Sequence, residues 1–186
     1  KINWRTVAKV LKFIATVITT VLGTIAVQAA LPTGLCSKTF KNMSRKINLI
    51  VIHCSATRSN QRFTLDMLRA CHNARFHNQG IGYHYFIEKD GQVHATRSED
   101  EIGMHARHYN AHSIGICYEG GLDEKGTPAD TRTPAQRAAL IALLRSLKID
   151  YPNAEILGHC ELEGVHKACP CFSCQEYRDY FKHLND

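Results

Sequence analysis

The sequence predicts a single α/β domain with a central mixed β-sheet flanked by helices, preceded by an N-terminal hydrophobic helix. Continuous apolar runs at 47–52 and 113–118 predict buried central strands. Segments 64–76 and 133–150 carry apolar residues at helical spacing and alternate with the strands. Strands with interleaved helices are typical of helices that pack on a sheet around one core.

Local signals place the ends of several further elements. Asp-Gly at 90–91, between the runs 83–88 and 92–96, predicts a β-hairpin because this dipeptide adopts the tight turn that joins antiparallel strands. Thr133 followed by Gln136 at the third position predicts a capping box at the start of a helix. These two signals fix element ends independently of hydrophobicity.

The remaining elements follow from apolar spacing. The second helix carries Ala139, Leu143 and Leu147 on one face, which we expect to pack against the sheet. The apolar run 154–157 predicts a short final strand, and residues 175–184 predict a C-terminal helix.

Charge and apolar content divide the chain into a hydrophobic segment at 1–31, a linker at 32–45 and a globular domain at 46–186. Residues 13–31 carry no formal charge and follow a basic stretch, which is typical of a signal peptide or a membrane anchor. This length can span a bilayer. The segment is also compatible with an amphipathic or buried helix. The first interpretation predicts membrane association through 13–31 and a location in the cell envelope or periplasm.

Composition narrows the class of partner and favours a metal site. The net charge of +6 at pH 7 suits an anionic partner, such as a cell-wall polymer, a nucleic acid or a membrane surface, and selects none of them. Eleven histidines and eight cysteines are unusual counts for 186 residues. Half of the cysteines cluster near histidines, which favours a metal site over a disulfide framework. The clustered residues are Cys160, Cys169, Cys171 and Cys174.

Three side chains are the candidate metal ligands. His53 follows the strand 47–52 and His159 follows the run 154–157, so both imidazoles lie at strand ends, and Cys169 lies in the next loop. Zinc binds histidine nitrogen and cysteine sulfur, and catalytic zinc sites use three protein ligands and leave one position open. A closed structural site built from the four clustered cysteines is the alternative, although it leaves His53 without a role.

Six short motifs occur in a fixed order along the domain. They are His53-Cys54-Ser55-Ala56-Thr57, Gly82-Tyr83-His84, Lys89-Asp90-Gly91, His105-Ala106 with Tyr109-Asn110, Ser113-Ile114-Gly115-Ile116 and Lys167-Ala168-Cys169-Pro170. Together they resemble the zinc-dependent N-acetylmuramoyl-L-alanine amidases, a family that includes phage amidase-lysozymes and the peptidoglycan recognition proteins. The resemblance covers residues 46–183 and is closest to the phage enzymes and their prophage relatives.

The resemblance implies a role for each matching residue. It implies one zinc ion bound by His53, His159 and Cys169. Tyr83 and Lys167 match catalytic residues that lie beside the metal. The residues that match substrate-binding positions are His84, His105 and Asn110.

The sequence departs from the family pattern in one loop. Residues 159–169 form a longer connection than in the phage enzymes, so Cys171 is an alternative to Cys169 as the third ligand. Pro170 directly after Cys169 fits the family pattern and favours Cys169.

The implied activity is hydrolysis of the amide bond between N-acetylmuramic acid and L-alanine in peptidoglycan by a zinc-activated water, in cell-wall lysis or turnover. Lys167 is expected to place its ammonium against the developing oxyanion, and Tyr83 to bind the water or assist proton transfer. The expected partner is peptidoglycan rather than nucleic acid, and the domain is expected to be monomeric. A phage origin would add a cytoplasmic stage before release.

Two other functions are weighed against this one. A non-catalytic peptidoglycan-binding module would lack the cysteine ligand, whereas Cys169 is present. A regulatory partner of another protein is the second alternative, since phage amidase-lysozymes also bind RNA polymerase.

Overall fold

The computed structural model describes residues 45–182 of the chain. The predicted hydrophobic segment at 13–31 lies outside these residues, as does nearly all of the predicted linker. Within 45–182, no helix combines the length and the apolar character needed to cross a membrane.

Seven strands and three helices make up the described domain. The strands are β1 Leu49–Cys54, β2 Thr57–Arg58, β3 Tyr85–Ile87, β4 Val93–Ala95, β5 Ser113–Tyr118, β6 Gly121–Leu122 and β7 Glu155–Gly158. The helices are α1 Leu65–Arg75, α2 Pro134–Asp150 and α3 Gln175–Lys182. Short 3₁₀ turns lie at Asn110–His112 and His159–Glu161.

Five of the strands form the main sheet, in the order β4-β3-β5-β1-β7. β1 pairs in parallel with β5 and with β7, and β3 pairs in parallel with β5. β4 is antiparallel to β3, so these two strands form the predicted hairpin. The sheet is therefore mixed, as the sequence predicted, and β2 pairs with β6 in a separate small parallel sheet.

The helix starts agree with the sequence signals. The Thr64 side chain caps α1 by accepting the Met67 amide hydrogen. At the start of α2, Thr133 and Gln136 form the predicted capping box, each side chain accepting the other's amide hydrogen at 3.1 Å. Both caps satisfy amide groups that have no partner within the helix.

The buried face of α2 differs from the predicted one. Leu140, Leu144 and Leu147 are fully buried, whereas Ala139 and Leu143 pack only at the edge of the core. Leu140, Leu144 and Leu147 also stand at helical spacing, so the apolar pattern allows either face. The buried Gln136 amide donates hydrogen bonds to the Ile87 and Glu119 carbonyl groups and ties the first turn of α2 to the sheet. The spacing of apolar residues gives no information about these hydrogen bonds.

The two faces of β1 have different surroundings, and this difference orients the site. Side chains alternate between the faces of a strand. Ile50 and Ile52 point into the core beneath α2 and α3. Val51 belongs to a cluster on the opposite face, so His53, two residues further along, projects from that same opposite face.

Candidate metal centre

Strand pairing brings the two candidate histidine ligands together. Ile52 of β1 is paired with Gly158 of β7 in parallel register. His53 and His159 each come one residue later, so they leave neighbouring strands at the same level. Their ring centroids are 4.5 Å apart, and His53 is 1% exposed.

The loop after β7 delivers Cys169 to the same place. The Cys169 Sγ atom accepts the Cys54 amide hydrogen at 3.3 Å and lies 3.9 Å from Nδ1 of His53. The Cys169 carbonyl accepts the Cys160 amide hydrogen at 2.7 Å, which ties the two ends of the loop together. One ligand atom from each of His53, His159 and Cys169 lies within 4.8 Å of the others.

The other clustered cysteines occupy different positions. Cys171 lies with its Sγ atom 3.7 Å from Sγ of Cys54 and packs against the core. Cys174 is fully buried in that same core. Within residues 45–182, the group with metal-ligand geometry therefore contains one cysteine and two histidines rather than four cysteines.

Burial keeps the imidazoles in the form that binds metal. Burial lowers the pKa of His53 well below its ordinary value, and the neighbouring His105 and His159 lower it further. Burial and the nearby Lys167 ammonium also lower the pKa of His159. Both rings are neutral near pH 7 and offer a nitrogen lone pair, which is the state that a metal ligand requires.

A cavity of roughly 460 Å³ opens directly over the three candidate ligands. Tyr83, Lys167 and His105, three of the predicted site residues, line it. The Tyr83 ring lies 5.1 Å from the His53 ring between centroids. Burial raises the pKa of Tyr83 well above its ordinary value, so its hydroxyl stays protonated.

The cavity wall is basic. Arg75, Arg107 and Lys167 contribute to it, and none of the lining residues within 45–182 carries a carboxylate side chain. A concave surface with one sign of charge attracts ligands of the opposite sign. The composition of the wall therefore fits an anionic ligand.

Two of the predicted substrate-binding residues have internal hydrogen-bonding roles. His84 is fully buried and is absent from the described cavity wall, and its predicted role in substrate binding stays a prediction. Its Nδ1 atom accepts the Gly115 amide hydrogen at 2.9 Å, and its Nε2 atom lies 3.0 Å from the Glu101 carbonyl oxygen. Asn110 does line the cavity, and its Oδ1 atom accepts the amide hydrogen of His105 at 2.9 Å.

The sequence interpretation missed His72. His72 is not among the candidate site residues named from the sequence, yet it lines the cavity and is 9% exposed, whereas the neighbouring Cys71 is exposed. Nδ1 of His72 accepts the Gly82 amide hydrogen at 2.9 Å, and the ring packs against Tyr83 at a centroid distance of 5.1 Å. The available signal was the four-residue separation from the buried Leu68, which places both side chains on one face of α1.

Comparison with known proteins identifies the family of the chain. Residues 43–172 match the family described as N-acetylmuramoyl-L-alanine amidase. The endolysin of Enterobacteria phage K11 is 40% identical over 129 residues, or 68% of this chain and 82% of that protein. The endolysin of Escherichia phage T7 is 40% identical over 131 residues, or 69% of this chain and 83% of that protein.

A solved structure shares the fold. The N-acetylmuramoyl-L-alanine amidase LysC from Clostridium intestinale URNW aligns with a TM-score of 0.62 and 30% identity over 76% of this chain and 87% of that chain. Fold and site define an α/β domain with two histidines and one cysteine at the floor of a basic cavity. The chain belongs to the N-acetylmuramoyl-L-alanine amidase family, in agreement with the resemblance seen in its sequence.

Burial of His72 predicts a loss of stability in acid. Burial, with a smaller contribution from the charges of Arg75 and Arg97, lowers the pKa of His72 to about 4. The unfolded chain takes up this proton below about pH 6.5 and the folded chain does not. The free energy of unfolding of the metal-free protein should therefore fall as the pH decreases from about 6.5 towards 4.

The variant His72→Asn keeps an acceptor for the Gly82 amide hydrogen and removes the titrating group. Urea unfolding at pH 7 and pH 4.5 should show a smaller loss of stability in His72→Asn than in the wild type. The exposed His77→Asn serves as the matched control and should follow the wild type. Equal losses in His72→Asn and wild type would contradict the neutral, buried state of His72.

Proposed function

We propose that this amidase hydrolyses the amide bond between N-acetylmuramic acid and L-alanine in peptidoglycan, with one zinc ion bound by His53, His159 and Cys169. The observation that carries the proposal is the convergence of these three ligand atoms at the floor of the cavity, in a chain of this family. Cell-wall lysis is the corresponding biological role.

The donor set fits zinc. Two imidazole nitrogens and one sulfur are the ligands that zinc prefers, and one side of the group faces the cavity, which is typical of a catalytic rather than a structural site. When bound there, the zinc ion would lower the pKa of a water ligand and polarise the substrate carbonyl.

Tyr83 is proposed as a hydrogen-bond donor to the reacting groups. Its hydroxyl stays protonated because burial raises its pKa, and its ring is held between His53 and His72 at centroid distances of 5.1 Å. A phenol fixed in this way can donate to the substrate carbonyl or orient the attacking water. Its fixed position means that little reorganisation accompanies the reaction.

Lys167 is proposed to stabilise the negative charge that develops on the carbonyl oxygen. It lines the cavity, and its charge lowers the pKa of both His53 and His159, so its ammonium acts electrostatically on the ligand group. An amide carbonyl gains negative charge as water adds to it. A cation placed at that point lowers the barrier selectively.

The basic cavity wall supports peptidoglycan as the substrate class. Arg75, Arg107 and Lys167 suit the carboxylate groups of bacterial cell-wall peptides. We further propose that residues 46–186 carry the activity as a monomeric domain acting at the cell envelope. Membrane association through 13–31 stays a prediction.

The third ligand can be tested with two neighbouring cysteines. Cys169→Ala should abolish both stoichiometric zinc binding and release of muropeptides from purified peptidoglycan, because it removes the only sulfur ligand of the group. Cys171→Ala is the matched control and should keep both. The measurements are zinc content by atomic absorption and chromatography of the released peptides.

Two outcomes would overturn this assignment. Zinc lost in Cys171→Ala and retained in Cys169→Ala would make Cys171 the ligand. Zinc bound by a wild-type protein that releases no muropeptides would indicate a peptidoglycan-binding module with a structural metal.

The proposed catalytic roles of Tyr83 and Lys167 predict that variants at these positions are slow but keep an intact metal site. Tyr83→Phe and Lys167→Met should each lower kcat by about a hundredfold or more while zinc content stays at the wild-type level, because loss of one transition-state donor costs about that much. Lys125→Met, in an exposed loop, controls for the loss of a positive charge. Unchanged kcat in either site variant would remove that residue from the mechanism.

A further inference from the structure

The two ring nitrogens of His53 have different partners. Nδ1 faces Sγ of Cys169 at 3.9 Å, on the side where the ligand atoms converge. Nε2 points the other way and lies 3.1 Å from Nδ1 of His105. His53 can bind a metal through Nδ1 only when its hydrogen resides on Nε2, so the partner of Nε2 decides whether the ligand is ready.

The hydrogen bonds on the far side of His105 decide which ring donates in the contact between Nε2 of His53 and Nδ1 of His105. The Ser113 hydroxyl donates its hydrogen to the Tyr109 carbonyl oxygen at 2.8 Å. Its oxygen can therefore only accept from Nε2 of His105, which lies 3.3 Å away. A neutral imidazole with its hydrogen on Nε2 has a lone pair on Nδ1, and this lone pair accepts the hydrogen from His53.

The surroundings of His105 are built to hold the ring in this place. A Cβ atom at Gly115 would lie 2.5 Å from the His105 ring, and one at Gly103 would lie 2.6 Å from it. Two glycines therefore leave the space that the ring fills. Oδ1 of Asn110 accepts the amide hydrogens of His105 and Ala106 at 2.9 and 2.8 Å, which fixes the backbone beneath the ring.

We propose that His105 is a positioning residue for the metal centre. A series of hydrogen bonds runs from His53 through His105 and Ser113 to the Tyr109 carbonyl. In this hydrogen-bond chain, His105 holds the His53 hydrogen on Nε2 and keeps Nδ1 free for the metal. This assignment rests on the proposed zinc site, because its expected effect is on the affinity for zinc. Outer partners of metal-binding histidines typically contribute about 10- to 100-fold in metal affinity.

The tautomers can be read directly in the metal-free wild-type protein. With ¹⁵N-labelled histidine, long-range ¹H–¹⁵N correlation spectra distinguish a ring hydrogen on Nε2 from one on Nδ1. We expect Nε2–H for both His53 and His105. A hydrogen on Nδ1 in either ring would reverse the direction of these hydrogen bonds and overturn the proposal.

Two substitutions at one position test the effect on zinc. His105→Leu preserves bulk and removes the acceptor, so the zinc dissociation constant, measured by competition with a chromophoric chelator, should rise by about 10- to 100-fold. His105→Asn places an amide oxygen near the position of Nδ1 and should stay within about threefold of wild type. Circular dichroism and thermal unfolding check that both variants fold.

The outcomes separate this proposal from the proposed function. Equal affinities in wild type, His105→Leu and His105→Asn would overturn the positioning role while leaving the zinc site intact. Equal losses in both variants would also overturn it, because a purely structural role would not distinguish an acceptor from a methyl group. A wild type that binds no zinc would refute the proposed metal site. The tautomer spectra would still decide the direction of the hydrogen bond between His53 and His105.

Discussion

The parallel register of β1 and β7 is the constraint on which the site depends. Because Ile52 is paired with Gly158, the residues that follow leave the sheet side by side. A slip of one residue would turn His53 to the face that packs beneath α2 and α3. The same register places the loop after β7 over the end of β1, where the Cys54 amide group binds the sulfur of Cys169. The pairing of β1 with β7 therefore also determines the relative positions of the candidate ligands.

The sheet also shapes what surrounds the ligands. β5 lies beside β1 and contributes Gly115, whose missing side chain gives room to the His105 ring, and Ser113, which binds that ring. Helix α1 contributes His72 against Tyr83 on the same side. The site therefore consists of candidate ligands from β1, the end of β7 and the loop after β7, with supports from the elements next to them. Rigid supports of this kind hold reacting groups in place without cost at the moment of reaction.

Much of this arrangement could be predicted from the sequence because its signals are local. Apolar runs identified the central strands, Thr133 and Gln136 marked the start of α2, and motif resemblance singled out the three candidate ligands that the structure brings together. Contacts between distant polar groups could not be predicted in this way. The buried Gln136 amide binds the Ile87 and Glu119 carbonyl groups, and the buried His84 ring is hydrogen-bonded to Gly115 and Glu101. All of these partners are distant in sequence, so no local pattern indicates the contacts.

The central claim is that one sulfur and two imidazoles form the metal centre. X-ray absorption spectroscopy at the zinc edge of the zinc-loaded protein tests it most directly. We expect one sulfur at about 2.3 Å and two imidazole nitrogens at about 2.0–2.1 Å in the coordination shell. A shell with two or more sulfurs would place the metal among the clustered cysteines and contradict the role of His53 and His159.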